Sequence, residues 1–195
     1  MNQDEEHLIA LSKQGQVGAF NQLVEIYQSQ LYNLALRMTG NTSVAEDVAQ
    51  EAFTSAYRHL WRFTGGNFRA WLLRITANAS LDYLRSAHHR RQVSLEELSE
   101  NPGTRFEAET ESPEDYSLRQ ELLGALQQGL MTLSAERRLV LILVDVQGFT
   151  YEETAAALKV PPGTVKSRLS RARVDMRDYL SAYQELLPSQ FRLKE

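Results

Sequence analysis

Apolar side chains along residues 17–39 recur at steps of three and four: Phe20, Leu23, Val24, Tyr27, Leu31, Leu34, Ala35 and Met38. That spacing gathers them on one face of a helix, which Gly40-Asn41 ends. Ser43 and Glu46 form a capping-box pattern that opens a second helix through Val48, Ala52, Phe53, Ala56, Tyr57 and Leu60. A loop, Phe63-Thr64-Gly65-Gly66-Asn67, separates it from a third helix running from Phe68 through Trp71, Leu72, Ile75, Ala79 and Leu84.

The rhythm stops between residues 91 and 117, where apolar positions are few and Pro102-Gly103 interrupts the chain. A flexible linker is the natural reading of such a stretch. Ser112-Pro113-Glu114-Asp115 then reads as a helix start, with a capping Ser, Pro at the first position and acids in the first turn. One helix follows through Leu118, Leu122, Leu126 and Leu130. Another runs from Ser134 through Leu139, Leu143 and Val146 to a stop near Gly148. Thr150 and Glu153 make a further capping box. No strand alternation and no internal repeat occurs. The expected fold is all-α, with two small helical domains at 1–90 and 118–185, a linker at 91–117 and a tail at 186–195.

Charge changes the picture in one place. The net charge of −4 hides a segregation. Residues 91–117 hold two basic and eight acidic side chains, whereas residues 118–195 hold eleven and nine. The acidity therefore belongs to the linker, and any argument for nucleic acid must rest on local patches. Lys159, Lys166, Arg168, Arg171 and Arg173 fall in a stretch with no Asp or Glu. The absence of Cys excludes disulfides and thiolate metal sites and fits a reducing cytoplasm. The acidic, polar N-terminus lacks the pattern of a signal peptide, and the longest apolar run, Leu139 to Val144, is too short for a membrane span. His7, His59, His88 and His89 show no metal-ligand spacing. No Gly-rich phosphate loop or nucleophile triad is present either, so neither a cofactor nor an enzymatic activity is expected.

Residues 150–173 carry the clearest chemistry. They read as a capped helix, a tight turn and a basic second helix, the layout of a helix-turn-helix whose second helix enters the DNA major groove. On a helix beginning near Pro162, Lys166, Ser167, Ser170 and Arg171 share one side, while Val165, Leu169 and Ala172 face the core. Arg and Lys donate to guanine edges, and Ser serves either base type. Arg168 and Arg173 point laterally and suit phosphates. The bland alternative is an amphipathic helix with a solvated basic face.

GTVKSRLSRAR at 163–173, preceded by FTYEETAAAL, resembles region four of bacterial sigma factors. DVAQEAFTSAYRHLWRF at 47–63 resembles their region two, and FRAWLLRITANASLDYLR at 68–85 resembles the part that reads and melts the −10 element. The matches cover most of the chain in the family's order, with a linker between and no room for regions one and three. That layout is similar to the extracytoplasmic-function (ECF) group.

The resemblance implies a protein that binds core RNA polymerase and directs it to promoters. Thr164, Lys166, Ser167, Arg168, Ser170, Arg171 and Arg173 would meet the −35 duplex. Asp47, Gln50 and Glu51 would dock on the β′ clamp, although as plain chemistry they are also favourable charges near a helix N-terminus. Helices 118–131 and 134–146 would meet the β flap. Around the third helix, Trp61, Phe63, Phe68 and Trp71 offer rings on which unpaired bases stack, at about 1–3 kcal/mol each. Phe68 and Trp71 suit core packing as well. By resemblance, Phe63, Asn67, Phe68, Arg74, Asn78, Asp82 and Arg85 handle the melted −10 strand, one base of which flips into a pocket at the 63–68 loop. Asp82 stands where relatives often have Asn; it accepts from base amines but repels phosphate. An anti-sigma factor as regulator and a cytoplasmic location without membrane insertion are implied too. The rival readings are a free-standing helix-turn-helix regulator, with residues 1–90 as a dimerisation or ligand domain, and a protein-binding adaptor or a nucleic-acid enzyme, the last weakened by the lack of any convergent carboxylate, His or Cys cluster in the sequence.

Overall fold

A computed structural model describes residues 3–93 and 113–186. These form eight α-helices, and no strand occurs among them. They are α1 (Gln3–Lys13), α2 (Val17–Thr39), α3 (Thr42–His59), α4 (Phe68–Val93), α5 (Pro113–Thr132), α6 (Ala135–Leu141), α7 (Tyr151–Leu158) and α8 (Pro162–Leu180). Residues 94–112, most of the expected linker, and 187–195, most of the expected tail, lie outside the described residues. α4 runs three residues into the stretch expected as linker, and α5 begins at the predicted Pro113.

In the N-terminal half α2 is the central element. Its periodic face buries Leu23, Leu31, Leu34 and Met38. Small side chains on α3, Ala49, Ala52 and Ala56, let that helix approach closely. Phe68, Leu72, Leu73 and Ala77 of α4 complete the core. Burying one such Leu or Phe stabilises by about 1.5–3 kcal/mol. α2 ends where Gly40 turns left-handed at φ 70° and donates to the Leu36 carbonyl at 2.8 Å. The Ser43–Glu46 box does not cap α3. Gly40 leaves Asn41 extended, so Asn41 becomes the cap and accepts from the Val44 N–H at 3.0 Å.

The C-terminal half departs from expectation once. The helix predicted from Ser134 to Val146 is α-helical only to Leu141 and then widens into a π turn, Ile142–Val146. Gln147 N–H reaches back five residues to the Ile142 carbonyl at 2.9 Å, and Gly148 reverses the chain at φ 73°. The Thr150–Glu153 box forms as read. Thr150 Oγ1 accepts from the Glu153 N–H at 3.1 Å, and Glu153 accepts from the Thr150 N–H at 2.9 Å. Lys159 supplies the left-handed end of α7, and Pro162 starts α8 in the first helical position.

The two halves pack against each other along the end of α2. Arg138 of α6 is a buried cation that donates to the Met38 carbonyl, and to those of Met131 and Leu133 at 3.1 and 3.0 Å. Backbone carbonyls at helix ends carry partial negative charge and substitute for a carboxylate partner. Burial still lowers the pKa of this guanidinium. Gln127 of α5 donates to the Leu36 carbonyl at 3.3 Å. Met131 covers Gly40 so closely that an added Cβ would lie 2.9 Å from its sulfur.

Candidate nucleic-acid interface

α8 sorts its side chains by the helical period. Val165, Leu169, Ala172 and Met176 are buried, which fixes the rotation of the helix. Lys166, Ser167, Ser170 and Arg171 consequently stand in solvent on the opposite side, as predicted. Thr164, at the helix start, is half-buried, and its carbonyl accepts from Ser167 Oγ at 3.0 Å. Arg168 is half-buried and turns toward α4.

Arg173 does not fit its predicted role. Its guanidinium makes a two-pronged pair with Asp145 of the π turn, Nε to Oδ2 at 3.0 Å and one terminal nitrogen to Oδ1 at 2.6 Å. Those bonds push its pKa up. A cation already matched to a carboxylate in this geometry is a poor phosphate anchor. Sequence spacing placed Arg173 on the correct side of α8 but had no means of bringing Asp145 to it.

The second cluster surrounds the start of α4. Asn67 caps that helix, its Oδ1 accepting from the Ala70 N–H at 3.0 Å. Phe63 and Phe68 are 5% and 1% exposed and meet edge-on at 5.2 Å, and Trp71 stacks on Phe68 at 5.6 Å. Phe63 and Phe68 have no free face for a base, whereas Trp71 is half-buried. Of the two alternatives for Phe68, core packing is the one realised. Trp61, 69% exposed with the Arg62 guanidinium 4.8 Å over its ring, is the accessible aromatic here. Asn78, Asp82 and Arg85 are exposed on α4, and Asp82 pairs with Arg85 at 3.3 Å. That pairing offsets the repulsion a lone Asp would exert on phosphate.

α4 and the helix-turn-helix face each other across a cavity of about 700 Å³. Arg74, Asn78, Asp82 and Arg85 line one wall, and Lys159 and Arg168 the other. Residues predicted for two different DNA elements thus share one cleft. Arg69 ties the same seam. Its Nε donates to Gln30 at 2.6 Å, and its terminal nitrogens donate to the carbonyl and side chain of Gln147 at 3.1 and 2.7 Å. Sequence reading missed this bridge, because the π turn that presents Gln147 leaves no periodic signal.

On α3, Asp47, Gln50 and Glu51 are exposed along one face. Beside them runs a groove of about 710 Å³ between α2 and α3, lined by Phe20, Val24, Tyr32, Phe53 and Tyr57. An acidic patch next to an apolar trough suits a partner helix with matching character. Among the described residues no cluster of His, Cys, Asp or Glu could hold a metal, and no helix is long and apolar enough to cross a membrane.

Comparison with known proteins places these surfaces in context. The family profile Sigma-70 region 2 matches residues 23–90, and Sigma-70, region 4 matches residues 123–176. The chain is 37% identical to the ECF RNA polymerase sigma factor SigE of Mycolicibacterium smegmatis, across 89% of its own length and 66% of SigE. It is 34% identical to the RNA polymerase sigma-H factor of Pseudomonas aeruginosa, across 88% of this chain and 91% of that one. Among solved structures it is similar to the sigma factor RpoE from Bartonella quintana in complex with the anti-sigma factor NepR. That match has a TM-score of 0.67 and 28% identity, over 83% of this chain and 96% of that one.

Proposed function

This chain belongs to the sigma-70 family, within its ECF group, and from that membership we propose how its surfaces divide the work of promoter recognition. It binds core RNA polymerase and directs initiation at specific promoters. Residues 1–90 form the unit that meets the β′ clamp through Asp47, Gln50 and Glu51 and takes the melted −10 strand along α4. Residues 118–185 form the unit that meets the β flap and reads the −35 duplex with α8. Lys166, Ser167, Ser170 and Arg171 contact base edges, while Arg168, Arg74 and Arg85 serve the backbone. Asn67, Asn78 and Asp82 lie at the −10 strand. The polymerase carries the chemistry; the chain acts in the cytoplasm, where the polymerase is. The observation that carries this reading is the exposed face of Lys166, Ser167, Ser170 and Arg171 on α8, set opposite a fully buried Val165–Leu169–Ala172 stripe.

Affinity is divided between weak contacts joined by one polymerase. Tethering supplies effective concentration that neither half has alone. A relative's structure holds an anti-sigma factor, which supports control of this chain by such a partner at its polymerase-binding surfaces. Run-off transcription with purified core polymerase and a genomic promoter library tests the reading. Stimulated initiation at a defined promoter set is expected, with DNA footprints that require core enzyme. A footprint from the chain alone, with no stimulation, would instead establish a free-standing regulator.

A further inference from the structure

The cleft between α4 and the helix-turn-helix, at about 700 Å³, is the size of a small-molecule site. Its charges do not balance. Arg74, Arg85, Lys159 and Arg168 line it against two acids, Asp82 and Glu136. Asp82 is already paired with Arg85. Among the described residues no carboxylate pairs with Arg74, Lys159 or Arg168, whereas Arg137, Arg173 and Arg177 of the C-terminal half each hold an Asp. Arg74 and Arg168 are half-buried as well, so water and salt screen them less than cations on an open surface. Charges of one sign lining a cleft with low-dielectric walls focus their field into it and concentrate the opposite ion there. Lys159 adds a second, independent observation. It is the only non-glycine residue with a positive φ among the described residues, at 55°. A residue with a Cβ is strained there, and a helix end of this kind is ordinarily left to Gly or Asn. Here it places an ammonium group in the lining of the cleft, and strain of this sort gathers at ligand clamps.

We propose that this cleft binds a free nucleoside polyphosphate, whose phosphates bridge Arg74 of α4 to Lys159 and Arg168 of the helix-turn-helix. Guanidinium and ammonium groups are strong donors to phosphate oxygens. The half-buried Ile75, Leu81, Leu158 and Val160 line the same cleft and offer an apolar surface to the nucleoside. The volume suits one small molecule rather than a polymer. Because its walls come from both halves, the site exists only while the halves are packed. A ligand that binds one of two states shifts the population toward that state. The nucleotide therefore holds the chain closed and occupies Arg74 and Arg168, the cations assigned above to promoter phosphates. That consequence rests on the promoter reading; the site itself does not.

The test titrates the free chain with fluorescently labelled ATP, with no divalent cation, polymerase or promoter present. Saturable binding is expected. Unlabelled ATP should displace the probe, and inorganic tripolyphosphate or adenosine should do so at least about tenfold less well, since each offers only part of the contacts. Arg74→Gln on one wall and Lys159→Asn on the other should each weaken binding at least about fivefold. Asn tolerates the left-handed conformation, and thermal melts check that both variants stay folded. Arg171→Gln, exposed on α8 and outside the cleft, should leave ATP affinity unchanged. No saturation below about 1 mM overturns the proposal. So does an equal loss from Arg171→Gln, which would mark general attraction to a basic helix, or a loss confined to one wall. Tripolyphosphate binding as tightly as ATP overturns the nucleoside. If Lys159 only serves the end of α7, Lys159→Asn will shift the melt and leave ATP affinity intact, which overturns it too. Each of these failures leaves the sigma-factor reading standing, because run-off transcription decides that one.

Discussion

Arg171 and Arg173 lie two residues apart on α8, carry the same charge and differ in what faces them. Arg171 stands in solvent on the face of α8 proposed to read bases. Arg171→Ala should cost the holoenzyme about 1–3 kcal/mol and relax preference at one −35 position. Binding measured across single-base promoter variants checks this; an equal loss on all of them would move the reading face elsewhere. Arg173 is committed to Asp145. Arg173→Ala should leave the salt dependence of promoter binding unchanged, while Arg168→Ala should lower its slope by about one. A salt titration of both variants decides between them. Removing the half-exposed Arg173–Asp145 pair should cost stability by at most about 1 kcal/mol, since solvent screens it. The charges were legible in the sequence, but their partners were not. Asp145 is twenty-eight residues away in the chain, and no local pattern links the two.

Elements formed where local signals agreed with one another. The Thr150–Glu153 box and Pro162 mark the starts of α7 and α8, so both helices were readable in advance, whereas the left-handed Lys159 that ends α7 was not. Thr150→Ala removes one arm of that box and should destabilise the C-terminal half by about 1 kcal/mol, whereas Thr150→Ser should retain most of it. Thermal melts of the two variants give the comparison, and an unaltered midpoint for the Ala variant would show the cap to be idle. Where two local signals competed, spacing alone chose wrongly. Asn41 outcompeted Ser43 as the cap of α3, because the left-handed Gly40 sets the Asn41 backbone extended. The π turn at Ile142–Val146 left no periodic trace either. An extra residue in one turn of an apolar run still reads as helix.

At the scale of the whole molecule, the packed halves cannot serve both promoter elements at once. Elements centred at −35 and −10 lie roughly 85 Å apart at 3.4 Å per base pair. A compact chain of this length has a radius of gyration of only about 16 Å. On the division of work proposed above, α4 parts from α7 and α8 on the promoter, breaking the Arg69–Gln147 and Arg138–Met38 bonds. The chain has no Cys, so two dyes can be placed at introduced cysteines, one on the exposed face of α4 and one on that of α8. Energy transfer should be high in the free chain and fall when core polymerase and promoter are added; unchanged transfer would exclude the separation. Gln127→Ala, which removes two bonds of the seam, to the Leu36 and Arg37 carbonyls, should lower transfer in the free chain while leaving the helical signal intact. The sequence by itself determined the approximate places of seven of the eight helices among the described residues, all but α1, together with the all-α class, the basic face of α8 and the family. These follow from short-range periodicity, caps and local charge, which act within a few residues. Tertiary structure alone decided that Phe63 and Phe68 are core and that Arg173 is spoken for. It also decided that residues of α4 and of the helix-turn-helix share one cleft. Each of those outcomes depends on groups far apart in the chain, brought together by burial that a one-dimensional pattern does not encode.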